Sequence, residues 1–75
     1  MKNVVIYSTE TCMYCKMAKE FFDDNNVKYT EHNVSTDEKA RNEMVEKSGQ
    51  MGVPVIMIDS EVVVGFNEPK LRTLL

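Results

Sequence analysis

Near its start the chain reads Val4-Val5-Ile6-Tyr7-Ser8-Thr9-Glu10-Thr11-Cys12-Met13-Tyr14-Cys15-Lys16. The first four of these residues are all apolar, as in a strand that is buried on both faces. Two cysteines follow, separated by two residues, and the chain has no others. Apolar residues then recur at helical spacing, so the sequence predicts a strand, a short loop and a helix that begins beside Cys12.

The place of Cys12 in this pattern favours redox chemistry. At a helix N-terminus, unpaired backbone N–H groups and the positive end of the helix dipole stabilise a thiolate. Cys15 comes one turn later, close enough to form a disulfide with Cys12. The sequence therefore predicts thiol–disulfide exchange, with Cys12 as the nucleophile and Cys15 as the resolving thiol.

Three other roles compete for these two cysteines. Both could be buried core residues, although their spacing beside a strand–helix junction disfavours this. Structural zinc usually takes four protein ligands, and His32 is the one further good ligand, so only a site shared between two chains stays open. A purely structural disulfide would close too short a loop to constrain the unfolded chain. We therefore expect a redox role.

Length and composition narrow the function classes further. The chain has 75 residues with a net charge of −3, which predicts one domain over residues 1–75 and no nucleic-acid partner. No apolar run reaches transmembrane length and no secretory signal is visible, so we expect no membrane association and a cytoplasmic location. In a reducing compartment, a lone C-x-x-C beside a βαβ pattern indicates a redox motif.

The whole sequence predicts the element order β-α-β-α-β-β-α. The first helix covers residues 13–24, and residues 27–31 alternate like a half-buried strand that lies parallel to the first. Ser35 and Glu38 fit a capping box at the start of the second helix. Gly49 suits the left-handed position that closes this helix.

The last part of the chain predicts a hairpin and a final helix. Residues 55–58 and 61–64 read as short strands around the turn Asp59-Ser60, and such a short connection forces antiparallel pairing. Gly65 ends the hairpin. Asn67 is a good N-cap for the last helix.

Taken together, these residues resemble a glutaredoxin. The matching pieces are Tyr7-Ser8, Cys12-Met13-Tyr14-Cys15-Lys16, Ser48-Gly49, Gly52-Val53-Pro54, Asp59-Ser60 and Val64-Gly65-Phe66-Asn67-Glu68. They cover essentially the whole chain in the family's order. The resemblance implies the α/β class: a single thioredoxin-like (glutaredoxin) domain with a four-stranded mixed sheet and helices on both faces. It also implies a cis peptide bond between Val53 and Pro54.

The resemblance further implies a thiol–disulfide oxidoreductase that reduces disulfides or glutathione mixed disulfides. Cys12 and Cys15 would be its catalytic residues, with no bound cofactor or metal and with glutathione as co-substrate. The glutathione-binding positions that it implies are Tyr14, Lys16, Arg41, Val53, Pro54, Gly65, Asn67 and Glu68. The expected partners are glutathione and disulfide-containing proteins, and the expected state is a monomer.

Some positions depart from the family pattern for glutathione binding. The family often has Lys where this chain has Thr9, Thr where it has Gly52, and Gly where it has Val64. Met13 and the run Gly65-Phe66-Asn67 also resemble glutaredoxin-like proteins that act as small thioredoxins. Some of these are reduced by a flavoenzyme and donate electrons to ribonucleotide reductase, which is the first alternative function.

An iron–sulfur cluster carrier is a further alternative. In that reading two chains would share a cluster through Cys12 of each chain and two glutathiones. The second cysteine and the Tyr14 between the pair disfavour this role.

Overall fold

The computed structural model describes residues 2–75, and within them the predicted order β-α-β-α-β-β-α is confirmed. The elements are β1 (Val4–Ser8), α1 (Met13–Asp24), β2 (Thr30–Asn33), α2 (Glu38–Ser48), β3 (Val55–Ile58), β4 (Glu61–Val64) and α3 (Glu68–Leu74). In this part of the chain, every helix is too short or too polar to cross a membrane.

One mixed sheet organises the molecule, with four strands in the order β2-β1-β3-β4. As predicted, β1 pairs parallel with β2 and the hairpin strands β3 and β4 pair antiparallel. β1 also pairs antiparallel with β3, where Tyr7 lies opposite Val55. The end of β1 and the start of β3 therefore meet at the same edge of the sheet.

Apolar side chains form one cluster on each face of the sheet, because successive strand residues point to opposite sides. The first cluster joins the sheet to α1 and α3 through Val4, Ile6, Ala18, Phe21, Phe22, Ile56, Ile58, Val63 and Leu71. The second joins it to α2 through Tyr7, Val34, Ala40, Met44 and Val55. The predicted helices on both faces are thus confirmed.

The predicted start of β2 is wrong, since the strand begins at Thr30 rather than at Val27. The backbone N–H of Val27 donates to the carbonyl of Phe22 at 2.8 Å, so Val27 belongs to the turn that closes α1. Val27 and Tyr29 still pack against the first cluster. Their alternation marks side-chain burial and not backbone pairing.

The predicted capping box at Ser35 is also wrong. Asp37 is the N-cap of α2, and its carboxylate accepts the N–H of Ala40 at 3.0 Å. The hydroxyl of Ser35 donates instead to Glu10 at 2.7 Å. Asp is as good a cap as Ser, so the local sequence offers both and tertiary contacts select Asp37.

Two other predicted helix boundaries are confirmed. Gly49 ends α2 in the left-handed conformation with a φ of 74° and donates its N–H to the carbonyl of Val45. Asn67 caps α3, because its side chain accepts the N–H of Lys70 at 3.3 Å.

Candidate active site

Cys12 is the N-cap residue of α1, at the end of the loop that follows β1. Its sulfur accepts the backbone N–H of Cys15 at 3.1 Å, in the role that a hydroxyl or carboxylate oxygen plays at most helix starts. The side chain of Cys12 is partly exposed. The sulfur is therefore both held by the helix N-terminus and open to a substrate.

Cys15 is a free thiol like Cys12, but it is completely buried. Burial first, and a side-chain hydrogen bond with Cys12 second, raise the pKa of the Cys15 thiol to about 12, although a backbone hydrogen bond with Thr9 acts in the opposite direction. Cys15 is thus protonated at neutral pH. A substrate can reach Cys12 first and Cys15 only through Cys12.

The peptide bond between Val53 and Pro54 is cis, as the family resemblance implied. Pro54 is buried, and its carbonyl accepts the N–H of Gly65 at 2.8 Å, which ties the start of β3 to the end of β4. Tyr7, near the end of β1, pairs with Val55, the residue that directly follows Pro54. The Val53–Pro54 bond and the loop that carries Cys12 therefore share one edge of the sheet.

Gly65 and Val53 complete this edge. Gly65 has a φ of 82°, a left-handed backbone conformation that residues other than Gly rarely adopt. Val53 is half-buried and packs against the second apolar cluster. The structure thus brings together the loop of the cysteines, Val53, Pro54 and Gly65.

The remaining predicted glutathione-binding residues are more dispersed. Arg41 is half-buried in the first turn of α2, on the opposite face of the sheet from α1. Lys16 is exposed on α1. The side chain of Asn67 caps α3, and Glu68 forms an ion pair with Arg72 at 3.7 Å.

Large apolar side chains are exposed around the same edge. Met13 and Tyr14, between the cysteines, are 74% and 63% exposed, and Met51, in the loop before Val53, is 68% exposed. Val64, at the end of β4, is also exposed. Exposed apolar groups next to a reactive cysteine indicate a surface for binding another molecule. Met51 could not be predicted from the sequence, because a single methionine in a loop carries no periodic signal.

A polar cluster of Ser8, Lys19 and Glu31 was also missed. Ser8 is only 1% exposed, and its hydroxyl donates to Glu31 at 2.7 Å. Lys19 Nζ donates to the same oxygen, Oε2, also at 2.7 Å. These hydrogen bonds, that of Lys19 first, lower the pKa of Glu31. The available signal was a polar residue at the end of an apolar strand and a lysine one turn after Cys15.

Glu10 fixes the loop that precedes Cys12. Its carboxylate accepts hydrogen bonds from Ser35 at 2.7 Å and from Asn33 at 2.8 Å, and these bonds lower its pKa. The carboxylate is therefore directed toward the connection between β2 and α2. Within residues 2–75, no group of three or more His, Cys, Asp or Glu side chains is placed to hold a metal ion.

Comparison with known proteins places the chain in a family. The family model of glutaredoxin matches residues 4–63. The chain belongs to the glutaredoxin family. This confirms both the resemblance and the predicted class, a glutaredoxin-like thiol oxidoreductase.

Several relatives align with this chain over most of their own length. An uncharacterized glutaredoxin-like 8.6 kDa protein in the rubredoxin operon of Clostridium pasteurianum is 44% identical and covers 96% of both chains. Glutaredoxin 3 of Escherichia coli K12 is 37% identical over 91% of this chain and 82% of its own. The glutaredoxin-like protein NrdH of Lactococcus lactis MG1363 is 36% identical over 95% of this chain and 97% of its own.

Solved structures show the same fold. The crystal structure of a thioredoxin-like protein superposes with a TM-score of 0.92 at 38% identity, covering 97% of this chain and all of the other. The predicted thioredoxin-like domain is therefore confirmed.

Proposed function

We propose that this glutaredoxin reduces disulfides by a dithiol mechanism in which Cys12 attacks and Cys15 resolves. The observation that carries the proposal is the contrast between the two thiols. The sulfur of Cys12 is partly exposed at the N-terminus of α1, whereas Cys15 is fully buried behind it. A substrate can therefore contact Cys12 directly, whereas Cys15 can react only with Cys12.

In the proposed first step, the thiolate of Cys12 attacks one sulfur of the substrate disulfide. A bond forms between Cys12 and that sulfur, and the other substrate sulfur leaves with the electron pair and takes a proton. The sulfur of Cys15 then attacks Cys12, which releases the second substrate thiol and leaves a disulfide between Cys12 and Cys15. The raised pKa of Cys15 keeps its thiol protonated before that step.

The backbone of Val53 is the proposed guide for the substrate. Strand pairing of β3 begins at Val55, so Val53 lies just beyond the paired residues at the edge where Cys12 is placed. An extended segment of a substrate can pair with such a backbone as a short added strand. Pro54 and Gly65, which are joined by a hydrogen bond, hold this backbone in place.

Glutathione is the proposed co-substrate that regenerates the dithiol. Its two carboxylates need cationic partners, and Lys16 and Arg41 are the candidates. Within residues 2–75 neither forms a salt bridge, whereas Lys19, Lys47 and Arg72 do. Tyr14, Asn67 and Glu68 are the further proposed contacts, although Asn67 already caps α3.

The second candidate function is a small thioredoxin that a flavoenzyme reduces and that passes electrons to a protein such as ribonucleotide reductase. The exposed Met13, Tyr14 and Met51 favour it, because an apolar surface beside Cys12 suits a protein partner better than a charged tripeptide. The similarity to the NrdH protein agrees with it. In either role we propose that the protein acts as a monomer in the cytoplasm on disulfide-containing proteins.

One experiment separates the two candidates. The turnover of a small glutathione mixed disulfide is measured once with glutathione and glutathione reductase and once with thioredoxin reductase, both with NADPH. Turnover with glutathione supports the first candidate. Turnover with thioredoxin reductase alone favours the second, and no turnover with either contradicts both.

A further inference from the structure

The polar cluster of Ser8, Lys19 and Glu31 lies beside the buried thiol Cys15, and the attack by Cys12 makes no use of it. We propose that Lys19, held in place by Glu31, stabilises the thiolate of Cys15 while it resolves the mixed disulfide on Cys12. This inference rests on the proposed dithiol function. It adds a positioning residue to that reaction.

Helix geometry places Lys19 on the same side of α1 as Cys15, one turn further along. The ammonium is fixed there by Glu31, whose Oε2 lies 2.7 Å from Lys19 Nζ. Glu31 is in turn held by strand pairing with β1, opposite Ile6, and by the hydroxyl of the buried Ser8. The ammonium of Lys19 is thereby held between α1 and β2.

A polar cavity of about 310 Å³ opens beside this cluster. Its lining consists of Ser8, Thr9, Glu10, Lys19, Glu31 and Asn33. Thr9 also forms the backbone hydrogen bond that acts on the sulfur of Cys15. Thr9 and Lys19, the two cavity residues that act on Cys15, therefore lie between its thiol and solvent-filled space.

Several charged or titratable groups surround Cys15. Burial raises its pKa most and the hydrogen bond with Cys12 raises it next, whereas Thr9 and then the charge of Lys19 lower it. Glu10 and Glu31 line the cavity. The pKa of Lys19 is raised first by its hydrogen bond to Glu31, and the charge of Tyr29 adds to this. Once Cys12 is bonded to substrate, its own contribution to that raised pKa is lost. The positive charge of Lys19 then favours the thiolate of Cys15, against the effect of burial.

In the resolving step, Cys15 releases its proton to solvent, and its thiolate attacks Cys12 Sγ. A bond between Cys15 and Cys12 forms, and the bond between Cys12 and the substrate sulfur breaks. The leaving sulfur takes the electron pair and then a proton. Lys19 bonds to none of these atoms and acts only by making the thiolate of Cys15 easier to form.

The test mixes the fully reduced protein with a chromogenic aryl disulfide in a stopped-flow instrument. The first equivalent of released aryl thiol reports the attack by Cys12, and the second reports the resolution by Cys15. Lys19→Met should leave the first phase unchanged and slow the second about threefold at neutral pH. The pH midpoint of the second phase should move up by about one unit, because the thiolate fraction falls about tenfold while the more basic thiolate is a stronger nucleophile.

Two variants control for charge and for structure. Lys19→Arg keeps the cation and should restore the second phase, and Lys28→Met removes an exposed lysine elsewhere and should change neither phase. Lys19→Gln supplies a second neutral variant if Lys19→Met does not fold. A second phase with an unchanged rate and pH midpoint in the neutral variants would overturn the role of Lys19. A wild-type protein whose second phase equals that of Cys15→Ser would instead overturn the dithiol function itself.

Discussion

The hydroxyl of Tyr7 donates a hydrogen bond of 2.7 Å to Oε1 of Glu43, which ties the central strand β1 to α2. Tyr7 is almost fully buried in the second apolar cluster. Burial first, and the hydrogen bond to Glu43 second, raise the pKa of Tyr7 from 10.0 to about 12. The fold therefore favours the neutral phenol.

This raised pKa predicts a loss of stability in alkaline solution. The contribution of Tyr7 is complete below its unfolded pKa of 10.0 and is lost as the pH rises toward about 12, because the unfolded phenol ionises first. Tyr7→Phe should lower the free energy of unfolding near neutral pH by about 1 kcal/mol. It should also flatten the decline between these two pH values.

Urea unfolding of the reduced protein at several pH values measures this effect. The control is Tyr14→Phe, which changes an exposed tyrosine and should leave the pH dependence as in the wild type. Cys15 adds its own alkaline decline, since its pKa rises from 9.0 to about 12, and this part is common to all three proteins. Equal declines in the wild type and in Tyr7→Phe would contradict the role of the hydrogen bond.

The corrected helix cap gives a second prediction. Asp37→Ala should destabilise the protein by about 1 kcal/mol, because the N–H of Ala40 loses its acceptor. Asp37→Asn is the matched control and should retain most of the stability, since Asn caps a helix as well as Asp. Chemical denaturation of the two variants measures the difference, and equal stability of Asp37→Ala and the wild type would show that the cap contributes nothing.

Much of the fold follows from local patterns in the sequence. The helix that begins after Cys12, the hairpin around Asp59 and the helix ends at Gly49 and Asn67 each have a local physical cause. The predicted start of β2 is wrong because Val27 is partly buried without being paired. Burial and pairing leave the same alternating pattern in a sequence, and only the three-dimensional structure separates them.

Part of the candidate site could also be predicted from the sequence. The spacing of Cys12 and Cys15 indicates a redox pair, and the family resemblance implies the cis bond before Pro54. The contacts of Lys19 with Glu31 could not be predicted, because they depend on how α1 packs against the neighbouring strand β2. Sequence patterns report neighbours along one element, whereas this cluster depends on how two elements pack.

A third prediction concerns glutathione. Arg41→Ala should raise KM for a glutathionylated substrate by about threefold and leave kcat nearly unchanged. A remote carboxylate contact contributes equally to the ground state and the transition state, and a single exposed ion pair contributes only about 0.2–1 kcal/mol. Steady-state kinetics with a glutathione mixed disulfide measure the effect. Lys39→Ala, an exposed charge on the same helix, is the control, and equal KM values for both variants would remove Arg41 from the site.

The exposed apolar surface gives a fourth prediction. Met13→Gln should lower kcat/KM for a protein disulfide by about fivefold, because losing an apolar contact near the centre of an interface costs about 1 kcal/mol or more. It should leave the reduction of a small aryl disulfide unchanged. Leu75→Gln is the matched control, since Leu75 is exposed beside Lys2, at the opposite end of β1 from Cys12. A similar loss with both substrates would indicate damage to Cys12 rather than to a docking surface.

The division of labour between Cys12 and Cys15 is tested most directly by trapping the mixed disulfide. Each single Cys→Ser variant is incubated with glutathione disulfide and analysed by intact-protein mass spectrometry. We expect Cys15→Ser to accumulate one glutathione on Cys12 and to lose protein-disulfide reduction while it keeps part of any glutathione-dependent turnover. Cys12→Ser should form no adduct and have no activity. An adduct on Cys15 in an active Cys12→Ser protein would contradict the assignment of the attacking thiol.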